Sequence, residues 1–417
     1  MAQLLDNCFA FGEDLVKSSE ALDILSDRLD VVVGKSNIGL RSCLGRVLAA
    51  DIKSRMPVPP HDNSAVDGYA VRFEDLASNT DTRLKVVGRV IAGDAGSHTL
   101  AAGQAVRIFT GAPMPANSDT VLMQEDCQEQ KDEVIVPAGI KEGANRRSAG
   151  EDIAAGEIVL TSGTRLRPQE IGLAASIGRT ELPIFNRLRV ALFSTGNEVR
   201  DIGNPLTPGC IYDTNRYSIV AALEGLDCEV SDLGILPDNY QVICDTLAAT
   251  AGQHDLIMTS GGISIGEEDH VRNVINTLGH LHFWRLAIRP GRPLALGQIG
   301  SVPFIGLPGN PVAVLVTFMR FARPAILRLG GCTNTEPKCF RVRAGFSAHK
   351  KLGRREWLRA RVGYAEDGEP VVHKFPRDGA GILSSMVASD GLVELPEDLT
   401  SLEAGTMVDY LPFNEMR

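Results

Sequence analysis

Residues 188–330 alternate short apolar runs with amphipathic helical patterns, and this alternation limits the region to one class of fold. The spacing predicts strands at 188–194, 228–236, 255–259 and 302–305, and helices at 215–226, 240–250, 271–278 and from 312 onward. Such alternation predicts a mostly parallel sheet with helices on both faces. Because such sheets bind ligands at the carboxyl ends of their strands, we expect the turns at 194–198, 237–239 and 260–262 to converge on one crevice.

The segments on both sides of this region contain short strands and frequent turns. Strands are expected at 84–91, 105–109 and 120–123, and again at 340–344, 356–362, 369–375, 391–395 and 407–411. A helix is predicted over about 11–29 and a strand over 46–52. The fold class is therefore α/β plus β and multidomain, with a central mostly parallel α/β sheet domain, flanking small β domains and a C-terminal β-barrel or sandwich. The expected domains are 1–28 with 181–330 (α/β), 29–53 with 148–180 (linking), 54–147 (small β) and 331–417 (barrel).

The charge balance and the cysteines restrict the classes of function. The chain has 52 acidic and 42 basic side chains, a net charge of −10, which argues against nucleic acid or an anionic membrane as the main partner. An anionic ligand therefore needs a local basic patch. The eight cysteines form no C-x-x-C pair and indicate reduced thiols. With no signal-peptide pattern and no stretch of about 18 apolar residues, we expect a cytoplasmic protein without a membrane segment.

Glycines and small hydroxyls occupy the point where the strand at 255–259 gives way to a helix. The segment reads Thr259-Ser-Gly-Gly-Ile-Ser-Ile-Gly-Glu-Glu-Asp-His270. Backbone N–H groups at a helix start hold anions such as phosphate, and this predicts a ligand site at Ser260, Gly261, Gly262 and Ser264. Three acids follow at 267–269, and carboxylates beside a phosphate indicate a metal ion between the two. The alternative is that these acids only complement the positive end of the helix.

A second cluster places three cations around a Pro290-Gly291 turn, namely Arg285, Arg289 and Arg292. Pro-Gly fits the two central positions of a type II turn. Guanidinium groups suit oxyanions such as phosphate or molybdate, so the loop is predicted to bind a ligand. The alternative is a solvated surface hairpin.

Another turn between a strand and a helix carries Pro308, Gly309 and Asn310. It either adds N–H donors to the same site or forms only a regular helix start, with Asn310 as N-cap and Pro311 after it. Asp238 is similarly open to two interpretations, because it either contributes to the crevice or caps its own helix.

Three other acids have no simple structural role in the sequence. Glu198 follows a strand end directly and has no obvious helix to cap. Asp62 lies in a loop rich in polar side chains, and Asp152 follows the pair Arg146-Arg147. The eight histidines are isolated, and no Ser/His/Asp arrangement is visible.

Seven motifs, in this order, give nearly the whole chain a resemblance to the molybdenum insertases, the family of bacterial MoeA and the gephyrin E domain. The motifs are Asp62-Asn-Ser-Ala-Val-Asp-Gly-Tyr-Ala-Val71, Phe109-Thr-Gly-Ala-Pro-Met-Pro115, Gly150-Glu-Asp-Ile153, Ser194-Thr-Gly-Asn-Glu-Val199, Ser260-Gly-Gly-Ile-Ser-Ile-Gly266 with Asp269, Arg289-Pro-Gly-Arg-Pro293 and Gly306-Leu-Pro-Gly-Asn-Pro-Val312.

The resemblance implies an elongated four-domain homodimer. Its active site would lie between the α/β domain of one subunit, of molybdopterin-binding type, and the small β domain of the other. Adenylylated molybdopterin would be hydrolysed with a divalent cation, Mg²⁺, and molybdenum from the substrate molybdate would be inserted at the dithiolene. The chain would then be a molybdopterin molybdenumtransferase. The resemblance also permits contacts with the molybdopterin adenylyltransferase and with recipient molybdoenzymes.

The resemblance also assigns residues. The family's functional acids fall on Asp62, Asp152, Glu198, Asp238 and Asp269. Its turn threonine falls on Thr110, and its metal ligands on Glu198 and Asp269. Glycine-rich strand ends would hold the pterin phosphate, and the arginine loop would recruit the oxyanion. Many members carry lysines in that loop, so this chain keeps the charge but changes the donor geometry.

Two other classes of function stay open. A binding scaffold would hold the cofactor or a partner protein without turnover, but it has no need of five functional acids together. AMP release from adenylylated molybdopterin distinguishes it from an enzyme. A molybdopterin adenylyltransferase uses the same kind of α/β domain, but a lone domain of that kind lacks the flanking β domains. ATP consumption with bare molybdopterin distinguishes this activity.

Overall fold

A six-stranded sheet forms the centre of the α/β region in the computed structural model, which describes residues 15–94, 98–262 and 270–416 without the side chain of Phe283. In spatial order its strands are Glu229–Leu236, Arg189–Thr195, Leu256–Ser260, Val302–Leu307, Pro293–Ile299 and Gly279–Arg285. The first four run parallel, and the last two join antiparallel. The predicted mostly parallel sheet is confirmed.

Helices cover both faces of this sheet. Successive strand residues point to opposite sides, and because the central strands carry apolar residues on both sides, both faces must be buried. Val190 and Leu192 belong to one apolar cluster, whereas Ala191 and Phe193 belong to another. The first cluster is covered by Ser18–Arg28, Thr214–Gly225, Pro311–Thr317 and Arg323–Leu329. The second is covered by Tyr240–Ala251 and His270–Leu278. A π-helical turn, Phe318–Ala322, joins the two halves of the helix at 311–329.

A separate sheet makes up the small β domain. In spatial order its strands are Thr120–Met123, Gly68–Val71, Gln104–Ile108, Thr82–Val90, Glu133–Val136 and Gln128–Gln130. Apolar clusters lie on both of its faces. At its edge the strand Asn63–Ser64 pairs with Arg146–Arg147, which brings two distant polar segments together.

The region between these sheets has its own apolar cluster. Its elements are Lys35–Gly39 paired with Glu181–Phe185, Ile52–Lys53 paired with Ile158–Leu160, and the helix Pro168–Ser176. The predicted strand over 46–52 is wrong in extent. Val47 bridges to Arg165 and Leu48 bridges to Ile184, so neighbouring residues pair with two different segments and no continuous strand forms.

The C-terminal region closes into a five-stranded barrel. Its strands follow the order Arg355–Tyr364, Pro370–Lys374, Phe340–Ala344, Met407–Pro412 and Gly391–Leu395. The last strand pairs with the first, which closes the barrel around its own core. Ile288–Arg289 from the α/β region pairs with Arg355–Tyr364 and joins the two regions. The predicted C-terminal β-barrel is confirmed.

The N-terminal helix begins later than the sequence pattern predicted. Ser18–Arg28 is helical, whereas Val16 bridges to Leu286 in extended conformation. Within the three described ranges, no helix combines the length and the apolar character needed to cross a membrane. The proposed domain limits stay a prediction.

Candidate active site

A cavity of about 360 Å³ opens at the carboxyl ends of the parallel strands. Each of the three turns expected to converge there contributes lining residues. The lining includes Ser194, Thr195, Gly196, Glu198, Asp238, Ser260, Gly261, Gly262 and Gly309. The fold therefore brings segments more than 100 residues apart in the chain to one crevice.

Two glycines shape one wall of this cavity. Gly261 and Gly262 have φ values of +81° and +64°, in the left-handed region that side chains rarely adopt. A Cβ on Gly262 would lie 2.3 Å from Cγ2 of Thr195. The backbone N–H of Gly261 donates to the carbonyl oxygen of Leu307 at 3.2 Å. Close packing and backbone conformation thus both require glycine at position 262.

Buried hydroxyls form the floor of the cavity. Oγ of Ser194 and Oγ1 of Thr195 are buried and have no hydrogen-bond partner among the described residues. Oγ1 of Thr259, on the neighbouring strand, is also buried without a partner among the described residues, but Thr259 does not line the cavity. Oγ of Ser260 donates to the carbonyl oxygen of Pro308 at a long 3.4 Å. Since buried polar groups are normally paired, these hydroxyls are suited to a ligand's oxygens. Ser194 and Thr195 were not among the sequence-predicted site residues, although they lie in one of the quoted motifs.

Two of the predicted acids face this cavity, and one alternative role is now excluded. The helix Tyr240–Ala251 is capped by Asn239, whose side-chain oxygen accepts from the N–H of Val242 at 3.2 Å. Asp238 is therefore not the N-cap, and its exposed side chain lines the cavity. Glu198 is also exposed at the rim, in a turn closed by the N–H of Ile211 donating to the Glu198 carbonyl oxygen at 2.9 Å.

A buried cation holds another lining segment of the cavity in place. Arg216 is 4% exposed and pairs with Asp201 at 2.6 Å, with Asp213 at 3.1 Å, and with Asp232. Burial opposes its charge, but the hydrogen bonds to Asp232 and Asp213 outweigh it and raise the pKa of the guanidinium. Asp213 also caps the helix Thr214–Gly225 and lines the cavity. Arg216 therefore fixes the segment that carries Asp213, a role the sequence did not indicate.

The turn before the helix at 311–329 forms another part of the wall. Gly309 lines the cavity, and its carbonyl oxygen accepts from Nδ2 of Asn215 at 2.7 Å. Asn310 occupies the N-cap position and Pro311 the first helical position, but the Asn310 side chain makes no capping bond. Pro308 and Asn310 are not among the lining residues of the cavity.

Two other predicted acids, Asp62 and Asp152, lie on or beside the small β domain and do not line this cavity. Asp62 pairs with Arg146 at 2.9 Å and accepts from the N–H of Ala149 at 2.8 Å. Asp152 is exposed on the adjoining segment, where its N–H donates to the carbonyl oxygen of Val58. The structure thus groups Asp62 with the segment that leads to Asp152, at a distance in the chain of about 90 residues.

Thr110 lies in a turn of the same domain. Its N–H and its hydroxyl both donate to Oδ1 of Asp67, each at 2.8 Å. These two hydrogen bonds hold the pKa of the Asp67 carboxyl below its ordinary value. Thr110 therefore has a local structural partner in the described chain, and its side chain is exposed.

The arginine loop lines a different cavity, of about 260 Å³, between the α/β region and the barrel. Arg289 and Arg292 line it together with Arg354 and Arg359 from the barrel, whereas Arg285 does not. Gly291 has a φ of +85°, as the predicted turn requires, and the Arg289–Pro290 peptide bond is cis. The loop connects the antiparallel strands Gly279–Arg285 and Pro293–Ile299 and is anchored on one side, because its residues Ile288–Arg289 pair with a barrel strand.

The described residues partly fit a divalent cation. No three His, Cys, Asp or Glu side chains lie close enough to hold a metal within the described ranges. Glu198 and Asp238 nevertheless line one cavity, and Mg²⁺ is usually held by one or two carboxylates with phosphate oxygens and water. This donor set suits a cation that arrives with a phosphorylated ligand. Asp269 and Ser264, both predicted site residues, lie outside the described residues.

A mostly parallel α/β sheet with a cavity bordered by glycines, hydroxyls and carboxylates at its strand ends is typical of the class of proteins that bind phosphorylated ligands. Comparison with known proteins then places the chain, which belongs to the molybdopterin molybdenumtransferase (MoeA) family. A model of the MoeA N-terminal region (domain I and II) matches residues 16–178, a probable molybdopterin binding domain matches 191–328, and the MoeA C-terminal region (domain IV) matches 341–413.

Relatives and solved structures support this placement over most of the chain. A molybdopterin molybdenumtransferase of Haemophilus influenzae is 38% identical over 381 residues, which are 91% of this chain and 94% of the relative. One of Nostoc sp. is 35% identical over 390 residues, 91% of this chain and 89% of the relative. A crystal structure of the molybdopterin biosynthesis MoeA protein of Pyrococcus horikoshii is 30% identical, with a TM-score of 0.81 over 96% of this chain and 100% of that one.

Proposed function

We propose that this chain is a molybdopterin molybdenumtransferase that hydrolyses adenylylated molybdopterin and inserts molybdenum from molybdate into the dithiolene. The observation that carries the proposal is the pair of cavities. One has a glycine wall, hydroxyls that are unpaired among the described residues, and the three carboxylates of Glu198, Asp213 and Asp238, and the other is lined by four arginines. The first cavity suits a phosphorylated pterin, which needs N–H and O–H donors for its phosphate, and the second suits a small oxyanion, which needs cationic donors. The relatives' printed name, molybdopterin molybdenumtransferase, supports the same activity.

The pterin phosphate would be held by the first cavity. Backbone groups of Gly261 and Gly262 allow close approach, and the hydroxyls of Ser194 and Thr195 supply donors that no described residue uses. A ligand phosphate there would accept hydrogen bonds that these hydroxyls do not make to any described residue, so binding recovers a desolvation cost already incurred on folding.

Glu198 and Asp238 would hold a Mg²⁺ ion at the rim, with Asp269 as a further ligand expected from the sequence alone. When bound, the ion would neutralise charge on the phosphoanhydride and favour its hydrolysis. The chain's own contribution is to fix the phosphate against the glycine wall. The buried Arg216 fixes Asp213, which lines the same cavity.

Molybdate would bind in the arginine-lined cavity. Arg289, Arg292, Arg354 and Arg359 converge there against one acid, Asp378. Arg359 is buried, and burial lowers the pKa of its guanidinium, while Nε donates to Oγ of Ser385 at 3.0 Å. An anion would compensate this concentration of cationic groups.

A second copy of the chain would complete the site. Asp62, Asp152 and Thr110 do not line the cavity that contains Glu198 and Asp238. A homodimer that places the small β domain of one subunit over the α/β cavity of the other would bring these residues together. The protein would act in the cytoplasm, where its thiols stay reduced.

The test is to mix adenylylated molybdopterin with the purified protein, with and without Mg²⁺ and molybdate. AMP should appear only with the metal, and molybdenum cofactor only with molybdate as well. Binding of the adenylate without AMP release would instead identify a scaffold. ATP consumption with bare molybdopterin would identify an adenylyltransferase.

A further inference from the structure

We infer that a basic groove outside the arginine-lined cavity is a capture site for tetrahedral oxyanions, which passes them inward to that cavity. The outer groove is lined by Arg289, His349, Lys350, Lys351, Arg354 and Glu356, and its volume is about 560 Å³. This inference rests on the proposed role of the inner cavity in binding molybdate. It adds a second, outer site with a different function.

The groove and the inner cavity share two wall residues, Arg289 and Arg354. An anion held in the groove therefore already contacts groups that line the inner cavity. The two wall residues come from different regions. Arg289 belongs to the α/β region, and Arg354 lies in the turn before the barrel strand Arg355–Tyr364. Pairing of Ile288–Arg289 with Arg355–Tyr364, together with a 2.8 Å hydrogen bond from the N–H of Arg355 to the carbonyl oxygen of Ala287, fixes these walls relative to each other.

The cations of the groove differ in how the fold uses them. Nζ of Lys350 donates to the carbonyl oxygens of Pro396 at 2.7 Å and Leu399 at 2.8 Å, so this lysine fastens the turn to the barrel. Lys351 and Arg354 make no ion pair or side-chain hydrogen bond with the described residues. Lys351 is exposed, at the outer end of the turn. The fold therefore uses Lys350 to hold the turn and leaves Lys351 and Arg354 available to a ligand.

Charge makes this arrangement unusual for the chain as a whole. The combined lining of groove and inner cavity has six Arg or Lys side chains and only two carboxylates, Glu356 and Asp378. Both carboxylates have cationic partners: Arg289 lies 3.4 Å from Glu356, and Lys374 lies 3.3 Å from Asp378. The chain has a net charge of −10, so a dianion needs a local basic surface to approach. A cleft lined by one sign of charge raises the rate at which such an ion arrives.

Lys351 therefore attracts the arriving anion, whereas Arg292, which lines only the inner cavity, contacts the anion once it is bound there. The two roles have different salt dependence. Exposed charges about 10 Å apart are largely screened in 0.1 M salt, but a close contact in an enclosed cavity is screened much less. The salt dependence of kcat/KM therefore distinguishes a variant that slows the arrival of molybdate from one that weakens contacts with bound molybdate.

The experiment measures cofactor formation against molybdate concentration for Lys351→Glu, Arg292→Ala and the full-length wild type, at about 0.02 M and about 0.5 M salt. Lys351→Glu should lower kcat/KM for molybdate by about tenfold at low salt and by less than about twofold at high salt. Its saturating rate should change less than its KM. Arg292→Ala should lower kcat/KM at both salt concentrations.

Lys338→Glu is the matched control, because it makes the same charge change at an exposed position outside both cavities. It should leave the molybdate curves of the wild type unchanged, which separates the groove from the net charge of the chain. The capture site would be overturned if Lys351→Glu gave the molybdate curves of the wild type, or if it lowered kcat/KM equally at both salt concentrations. In either case, a lowered kcat/KM for Arg292→Ala would still support the inner site. Wild-type curves for Arg292→Ala would instead count against the proposed inner site.

Discussion

The backbone N–H of Val312 donates to the carbonyl oxygen of Ala380 at 2.9 Å. Val312 lies in the first turn of the helix whose Pro311 lines the α/β cavity, and Ala380 lines the arginine-rich cavity. A hydrogen bond between the helix and the barrel loop therefore connects the two cavities. This contact gives the pterin and oxyanion sites of the proposed reaction a shared structural element.

The first prediction concerns the carboxylate at the rim. Glu198→Gln should abolish AMP release from adenylylated molybdopterin, because an amide cannot replace a charged oxygen ligand of Mg²⁺. Glu198 is exposed, so the melting temperature should stay within about 2 °C of the wild type. The sequence predicts the same loss for Asp269→Asn. AMP release at the wild-type rate by folded Glu198→Gln protein would remove this residue from the mechanism.

The second prediction concerns assembly from two subunits. Asp152→Asn changes an exposed acid beside the small β domain, and Glu198→Gln changes the α/β cavity. Each variant alone should be inactive, and a mixture should recover about a quarter of wild-type activity per total protein, because half of the dimers combine one intact site with one doubly changed site. Subunit exchange is verified with differently tagged chains. Inactive mixed dimers would show that both acids act within one chain.

The third prediction concerns the arginine loop. Arg292→Ala should raise the molybdate concentration needed for half-maximal cofactor formation by roughly ten- to hundredfold, since a hydrogen bond to a charged group contributes about 1.5–3 kcal/mol. Arg289→Ala should do the same but also leave the buried Glu356 without its partner at 3.4 Å. Arg289→Lys should recover only part of the loss, because lysine keeps the charge but not the fork.

Adenylate binding is the internal control for these loop variants. It should change less than the molybdate dependence if the loop serves the oxyanion. Superimposable molybdate curves for the wild type, Arg292→Ala, Arg289→Ala and Arg289→Lys would assign the loop to structure or to the pterin side of the site.

The fourth prediction concerns the glycine wall. Gly262→Ala should lower the free energy of unfolding by about 1–3 kcal/mol and weaken adenylate binding, because its backbone has a positive φ and its Cβ would meet Thr195. Combining it with Thr195→Ser removes the Cγ2 atom that would lie 2.3 Å away. Denaturant unfolding should show partial recovery of stability in the double variant. Equal stability of the two variants would assign the cost to φ alone.

The fifth prediction concerns Asp67. Thr110→Val removes the hydroxyl donor and keeps the backbone donor, so the pKa of Asp67 should rise part of the way towards its ordinary value of 3.8. A lowered pKa means that the contribution to stability is present above the unfolded-state value and is lost as the pH falls through the folded-state value. The stability difference between wild type and variant should therefore shrink below about pH 4. NMR titration of the Asp67 carboxyl measures the shift directly.

The sequence alone predicted four of the six strands of the α/β sheet with small errors but missed the strands Gly279–Arg285 and Pro293–Ile299. Strand 228–236 was found at Glu229–Leu236 and helix 240–250 at Tyr240–Ala251, because strong apolar periodicity coincides there with capping and turn residues. It predicted less well where pairing partners are distant. The segment at 46–52 has strand-like composition, but tertiary contacts divide it between Arg165 and Ile184.

For the site, local motifs indicated the chemistry, and the fold decided which motifs meet. The Gly261-Gly262 turn, the arginine turn and Glu198 were visible in the sequence because each has a local backbone or charge signature. Only the tertiary structure showed that these motifs line two separate cavities. It also showed that Asp238 does not cap its helix and that Arg354 of the barrel lines the arginine-rich cavity. Local patterns report what a few neighbouring residues do, whereas a cavity is formed by side chains that long-range strand pairing brings together.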